Sequence, residues 1–204
     1  YENQQRENKE LQELLEMNDS LDNYERISAT VIGRDFSYWN DQVTLDVGEK
    51  DGIKENMVVV NSQGVVGKVY KVQSSTCIVK LLTCEDKSNK VAVRINFTTE
   101  DDEKNEKKDD DKKDDSKTAD SVEGILESYD PDEQAYVVSL LDDQEVEPGM
   151  QVVTSGKGGV YPSGLLVGTI KKVESLENQL GQVVYVEPIS NFQYFDYVTV
   201  IGVK

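Results

Sequence analysis

Apolar positions recur with two different periods along this chain, and the period changes near residue 26. Before that point Leu11, Leu14, Asn18 and Leu21 alternate at steps of three and four, the a/d spacing of a helical heptad. The background is Glu, Gln and Asn, with no Gly or Pro, so a helix is predicted over residues 1–26. One reading is a polar helix whose leucines dock on the domain that follows. The other is the end of a dimeric coiled coil, with Asn18 at an a position fixing register and partner number. The polarity of the remaining faces favours the coiled coil.

From Ile27 the period becomes two and β-branched residues dominate. Strands are predicted over residues 27–32, 43–47, 57–60, 65–72, 78–82 and 91–95, and again over 136–141, 150–154, 165–173, 183–187 and 197–203. Turn residues such as Gly48, Asp51-Gly52, Asn61-Ser62 and Asn89 stand between them. No convincing helical pattern connects the strands, which points to antiparallel barrels or sandwiches.

The two halves are rough copies. Met57, Val59, Val60 and Ser62 match Met150, Val152, Val153 and Ser155 at one offset. After an eight-residue insertion, Gly67, Val69, Lys71 and Val72 match Gly168, Ile170, Lys172 and Val173. A glycine held inside a repeated strand marks a bulge or a barrel corner, so the fold expected is mainly β: the helix, then two small tandem β-barrels of six-stranded type. The limits read from the sequence are 1–26 for the helix, 27–97 for the first barrel, 98–121 for an insert and 122–204 for the second barrel. Domains this small are marginal alone, so the copies are expected to pack on each other or exchange strands.

Composition narrows the chemistry. The net charge of −18 and pI near 4.3 repel phosphate backbones and anionic membrane surfaces, so no nucleic-acid role is expected. Histidine is absent, which removes Ser-His-Asp and Cys-His catalysis and every His-dependent zinc site. Cys77 and Cys84 end one apolar run; as a strand it would hold them ~23 Å apart, too far for a disulfide, and free core thiols are expected. No run is long and apolar enough to span a bilayer. The chain opens at Tyr1 within a helical pattern and reads as a piece of a longer protein, which leaves an upstream membrane anchor open. Residues 98–121 carry nearly two acids for each lysine and almost no apolar side chain, the composition of a solvated loop. They lack the glycine and closing glutamate of a calcium loop.

The densest glycine cluster runs from Thr154 to Gly168 and includes Gly156, Gly158, Gly159, Tyr161, Pro162 and Gly164. It lacks the spacing and the following helix of a phosphate loop. It reads as a long turn stiffened by Pro162, with Tyr161 packed over it. As the insertion that separates the second copy from the first, it is a candidate partner-binding loop. Ser155 or Ser163 with Lys157 imitates a Ser-Lys dyad, but a solvated lysine is a poor base. Residues 191–198 concentrate Phe192, Tyr194, Phe195 and Tyr197, either as a closing strand or as an aromatic partner patch.

These motifs together resemble the MreC family of bacterial cell-shape proteins. The likeness lies in the leucine-bearing helix end, Val31-Ile-Gly-Arg-Asp35, Trp39, Asp51-Gly52, the GVVGKVYKV strand, the Thr154 to Gly168 signature and the EPISNFQYFDYVTVI tail. It covers the chain from about Glu7 to the end, broken only by the acidic insert. The resemblance implies a single-pass membrane protein whose C-terminal part faces the cell wall outside the cytoplasm. It implies a helix leading into two β-barrels, dimerisation that sometimes extends into filaments, no cofactor and no known catalytic activity. The implied role is a non-enzymatic scaffold of cell-wall elongation that contacts penicillin-binding transpeptidases, MreD and other elongation proteins. The residues expected to carry it are Leu11, Leu14, Asn18 and Leu21 for dimerisation and the glycine loop for partners. An export-machine adaptor of helix plus β-barrels is the alternative, with a Ser-Lys β-barrel protease behind it.

Overall fold

The structure is a computed structural model, and it describes residues 24–37, 40–84, 90–96, 121–140, 145–175, 181–192 and 194–202. Leu11, Leu14, Asn18 and Leu21 of the predicted helix, and the acidic insert up to Asp120, lie outside the described residues, while the end of the predicted helix is corrected: Glu25 and Arg26 already belong to the first strand, paired with Gly202 and Ile201. Twelve strands are described: β1 (Glu25–Ser37), β2 (Asn40–Leu45), β3 (Val58–Val60), β4 (Val65–Val72), β5 (Cys77–Leu81) and β6 (Val91–Asn96), then β7 (Ser121–Asp130), β8 (Ala135–Leu140), β9 (Gln151–Thr154), β10 (Leu166–Ser175), β11 (Gln182–Pro188) and β12 (Tyr197–Gly202).

They close into two antiparallel six-stranded barrels, ordered β1-β12-β3-β4-β5-β2 and β10-β11-β8-β7-β6-β9. Laid over one another, the orders equate β1–β5 with β7–β11, and β12 takes in the first barrel the place that β6 takes in the second. Each half thus supplies five strands to one barrel and its sixth to the other. The boundaries read from the sequence need correction here. Val91–Asn96 pairs with β7 and β9 in the second barrel, and Tyr197–Gly202 pairs with β1 and β3 in the first. Adjacency in sequence carries no information about which open sheet an apolar strand will close. The sequence reading also missed β7, whose alternation of Val122, Gly124 and Leu126 inward with Glu123 and Ile125 outward begins directly at the insert.

The repeat holds at the level of single atoms. Val59 stands opposite Gly67, and Val152 opposite Gly168. Lys54 N–H points at the Met57 sulfur at 3.3 Å, and Glu147 N–H at the Met150 sulfur at 3.4 Å. Val69 N–H donates to Met57 O at 2.8 Å, as Ile170 N–H does to Met150 O at 2.9 Å. The glycines share a reason as well. A Cβ on Gly67 would lie 2.1 Å from Lys80 O, and one on Gly168 2.1 Å from Glu187 O, so neighbouring backbones meet where no side chain fits.

Inward-facing aliphatic residues, most of them β-branched, fill each barrel: Val43, Leu45, Val59, Val79 and Val200 in the first, and Val93, Ile95, Val138, Val152 and Val184 in the second. The second core does not stop at its own wall. It takes in Val58, Val60, Val65, Leu82 and Ile201 from the first barrel. β3 is therefore buried on both faces, which accounts for its unbroken apolar run. At the same junction the buried Asn61 side chain accepts hydrogen bonds from Gln63 N–H, Gly64 N–H and the Ser190 hydroxyl, each at 3.0 Å. Cys77 and Cys84 are free and buried, with burial and the Asp46 charge pushing the Cys77 thiol up to about 11.

Gly67→Ala and Gly168→Ala are each expected to destabilise the chain by about 1–3 kcal/mol or more through overpacking. Gly33→Ala, whose Cβ would meet Thr44 at an ordinary 3.5 Å, should change little. Urea unfolding followed by circular dichroism checks this, and both destabilised variants should melt in one transition, since neither barrel closes without the other half.

Candidate functional site

Two surfaces carry the residue types that a binding role requires. The first is the loop between β9 and β10. Gly156, Gly158, Gly159 and Gly164 all adopt positive φ, between 73° and 93°. Thr154 anchors the loop from inside: its hydroxyl donates to Pro162 O and accepts from Leu165 N–H at 2.9 Å, while its carbonyl accepts Gly164 N–H at 2.8 Å. Ser155 N–H ties the other end to Ala92 O of β6 at 2.9 Å.

Tyr161 is only 6 % exposed and belongs to the second core together with Leu165, while Pro162 is buried beside it. The structure thus divides the sequence-predicted loop. Tyr161 and Pro162 are anchors beneath it, and the exposed arc is Lys157, Gly158, Gly159 and Val160. Burial raises the Tyr161 phenol well above its ordinary pKa, so it stays protonated. Lys157 Nζ donates to Glu123 Oε2 at 2.6 Å on the exposed side of β7, an ion pair that ties the loop to that strand. The Ser155 hydroxyl oxygen accepts the Lys157 backbone N–H at 3.2 Å. This arrangement braces a loop and does not prime a nucleophile. The loop and Tyr24 together enclose a hollow of about 380 Å³. Tyr24, directly before β1, packs on the second core, so the chain enters the first barrel alongside the loop of the second.

The second surface lies between the barrels. The β1–β2 and β7–β8 hairpins, equivalent in the repeat, border a cleft of about 820 Å³ together with the connector from β11 to β12. Asp41, Tyr129, Gln134, Glu187, Phe192 and Tyr194 line it. Arg34 of β1 fixes the connector, donating to Phe192 O at 3.1 Å, resting over the Phe195 ring at 4.6 Å and pairing with Asp196 at 3.7 Å. Phe192 sits edge-on to the buried Tyr136 with centroids 6.4 Å apart, and Tyr136 in turn to Tyr129 at 5.8 Å. The aromatic stretch 191–198 is therefore split. Phe195 is core, Phe192 packs against both cores, and Tyr194 is 65 % exposed at the cleft. Sequence reasoning found these aromatics but not Asp41 and Glu187. In a chain with 40 acidic residues no carboxylate stands out until the fold places it.

The family model described as rod shape-determining protein MreC, barrel core, matches residues 31–202. The chain belongs to the MreC family. Among curated relatives it is 33 % identical over 197 residues to the cell shape-determining protein MreC of Listeria monocytogenes and 30 % identical over 202 residues to that of Bacillus subtilis. Each match covers 96 % of this chain but only 60 % and 63 % of the relatives' own lengths. A solved Listeria monocytogenes MreC superposes with a TM-score of 0.74 at 32 % identity, covering 98 % of this chain and 86 % of that one. A Helicobacter pylori MreC, solved in complex with PBP2, shares the fold with a TM-score of 0.57 at 16 % identity, covering 86 % of this chain and 98 % of that one. Among the described residues of this MreC chain no helix is long and apolar enough to cross a membrane.

The burial of Tyr161 generates a prediction. Its hydroxyl has no hydrogen-bond partner among the described residues. Tyr161→Phe should therefore leave stability unchanged within about 1 kcal/mol, whereas Tyr161→Ala should cost about 3–5 kcal/mol by emptying a core position. Urea midpoints measure both, and a harmless Tyr161→Ala would return the residue to the list of surface contacts.

Proposed function

We propose that this chain is the wall-facing part of a non-enzymatic scaffold that organises peptidoglycan synthases during elongation. The observation that carries the reading is the completion of each barrel by a strand from the other half, which makes one rigid body from two modules. Rigidity of that kind holds binding surfaces at fixed separation, which is what a scaffold needs. Family membership supports the biological setting, and the Helicobacter pylori relative in complex with PBP2 supports a penicillin-binding protein as partner. MreD belongs to the proposal as a further partner, and so does an upstream single-pass anchor in the cell membrane.

In this reading a helix that ends ahead of β1 pairs two copies through Leu11, Leu14, Asn18 and Leu21. Tyr24 borders the hollow under the glycine loop, and a stalk ending just before it would present the exposed arc 157–160 close to the dimer axis. Two barrels per chain and two chains per stalk then raise the effective concentration of each surface for its partner.

Leu14→Ala with Leu21→Ala is expected to weaken self-association by about tenfold or more, seen in sedimentation velocity. The resulting monomer should capture a purified penicillin-binding transpeptidase less well than the dimer does. Sedimentation that does not change rejects the stalk as the dimer contact. Transpeptidase capture that is absent for both forms rejects the scaffold reading itself.

A further inference from the structure

The cleft between the barrels has a chemistry of its own. Two carboxylates, Asp41 and Glu187, line it, and among the described residues no lysine or arginine does. Arg34 of β1 is engaged with Asp196, and Lys171 of β10 reaches Glu133 of the β7–β8 turn at 3.2 Å and its carbonyl at 2.6 Å. The Tyr129 phenol is pushed above its ordinary pKa by burial and then by the charges of Asp41 and Asp130, so the negative field reaches into the cleft. Beside the carboxylates stand apolar and aromatic groups: Pro188, Ile189, Phe192 and the exposed Tyr194.

We propose that this cleft is a docking groove for a basic, apolar-bearing polypeptide segment of another protein. Charge complementarity selects that occupant. The lining repels phosphate and other anions, and a second copy of a chain with net charge −18 meets it with like charge. Arginine or lysine would pair with Asp41 and Glu187, while neighbouring apolar side chains rest on Phe192 and Tyr194. The groove is held ready. Arg34 fixes the connector from one side and the Phe192–Tyr136 contact fixes it from the other, so ordering costs little on binding. Asp41 is oriented by the Thr83 hydroxyl, which donates to its Oδ2 at 2.6 Å.

This inference adds a partner chemistry to the scaffold reading and is independent of the stalk. The test is fluorescence anisotropy of the 204-residue chain with a short labelled peptide alternating arginine and leucine, beside the same peptide with glutamate for arginine. Asp41→Asn with Glu187→Gln is expected to weaken the arginine peptide about tenfold at low salt, and Tyr194→Ala about as much. Glu49→Gln with Glu55→Gln removes the same charge from a different hollow and should change affinity less than about twofold. The Asp41→Asn change keeps an oxygen acceptor for the Thr83 hydroxyl, and Tyr194 is an exposed position, so the fold survives both changes. Equal weakening by the control pair overturns the proposal in favour of general acidity, and so does equal binding of the glutamate peptide. Arginine-peptide binding that neither cleft variant alters also overturns it. So does a chitooligosaccharide that binds and is lost with Tyr194→Ala while the peptide is indifferent to that change, since the groove is then a sugar site. Self-association through the stalk is untouched by every one of these results.

Discussion

The whole architecture depends on the reciprocal exchange of a sixth strand. A five-stranded sheet of this size has two open edges and an apolar face it cannot bury, and each half of the chain is in that position. β12 closes the first barrel and β6 closes the second, so the edges disappear only when both halves are folded. The same exchange presses β3 and β12 against the neighbouring barrel. Val58, Val60 and Ile201 then enter the second core while Val59, Val198 and Val200 fill the first. Closure and packing are one event, which is why the modules behave as a single body.

The exchange also creates one of the two candidate surfaces, the cleft. Because β12 must travel back to the first barrel, the connector with residues 189–192 and 194–196 crosses between the barrels and carries Phe192 and Tyr194 with it. A crossing segment of backbone needs partners for its polar groups. It finds them in Val167 O for Ile189 N–H, in Gln63 Oε1 for Asn191 N–H and in the Arg34 guanidinium for Phe192 O. The cleft is thus a product of topology and not of a separate insertion. The glycine loop arises differently, as added residues between β9 and β10, with Thr154, Tyr161 and Pro162 committed to holding the exposed arc in place.

Much of this was legible in the sequence, and the limits are physical. Alternation or β-branching marks eleven of the twelve strands, the alternating ones through a one-sided burial and β3 through an apolar run buried on both faces. The repeat marks Gly67 and Gly168, which share one steric cause. β7 escaped because acidic residues flank it and Gly124 interrupts its apolar face. The ownership of β6 and β12 escaped because strand pairing across the two modules leaves no local pattern; both strands read as ordinary apolar runs. Tyr161 was read as a contact residue because its loop is rich in glycine, whereas only burial shows it to be core. Asp41 and Glu187 were invisible among so many acids, since a carboxylate becomes informative through what it faces and not through its type.

These differences bear on how a chain without histidine can be specific. Its two candidate surfaces offer discrimination by shape and charge held in fixed geometry. Fixed geometry is what the exchanged strands supply, and Asn61 shows how far it is specified. This buried side chain is satisfied by its own turn and by Ser190 of the returning connector. An apolar residue there would bury as readily but would not report whether the connector is in register. Gly64 adds a steric version of the same condition, since a Cβ at that position would lie 2.3 Å from Leu166 O of the other barrel. The junction therefore accepts one relative placement of the barrels, and the cleft inherits its dimensions from that placement. A cleft defined by two modules is only as definite as their junction, and here the Asn61 hydrogen bonds and the close approach at Gly64 define that junction.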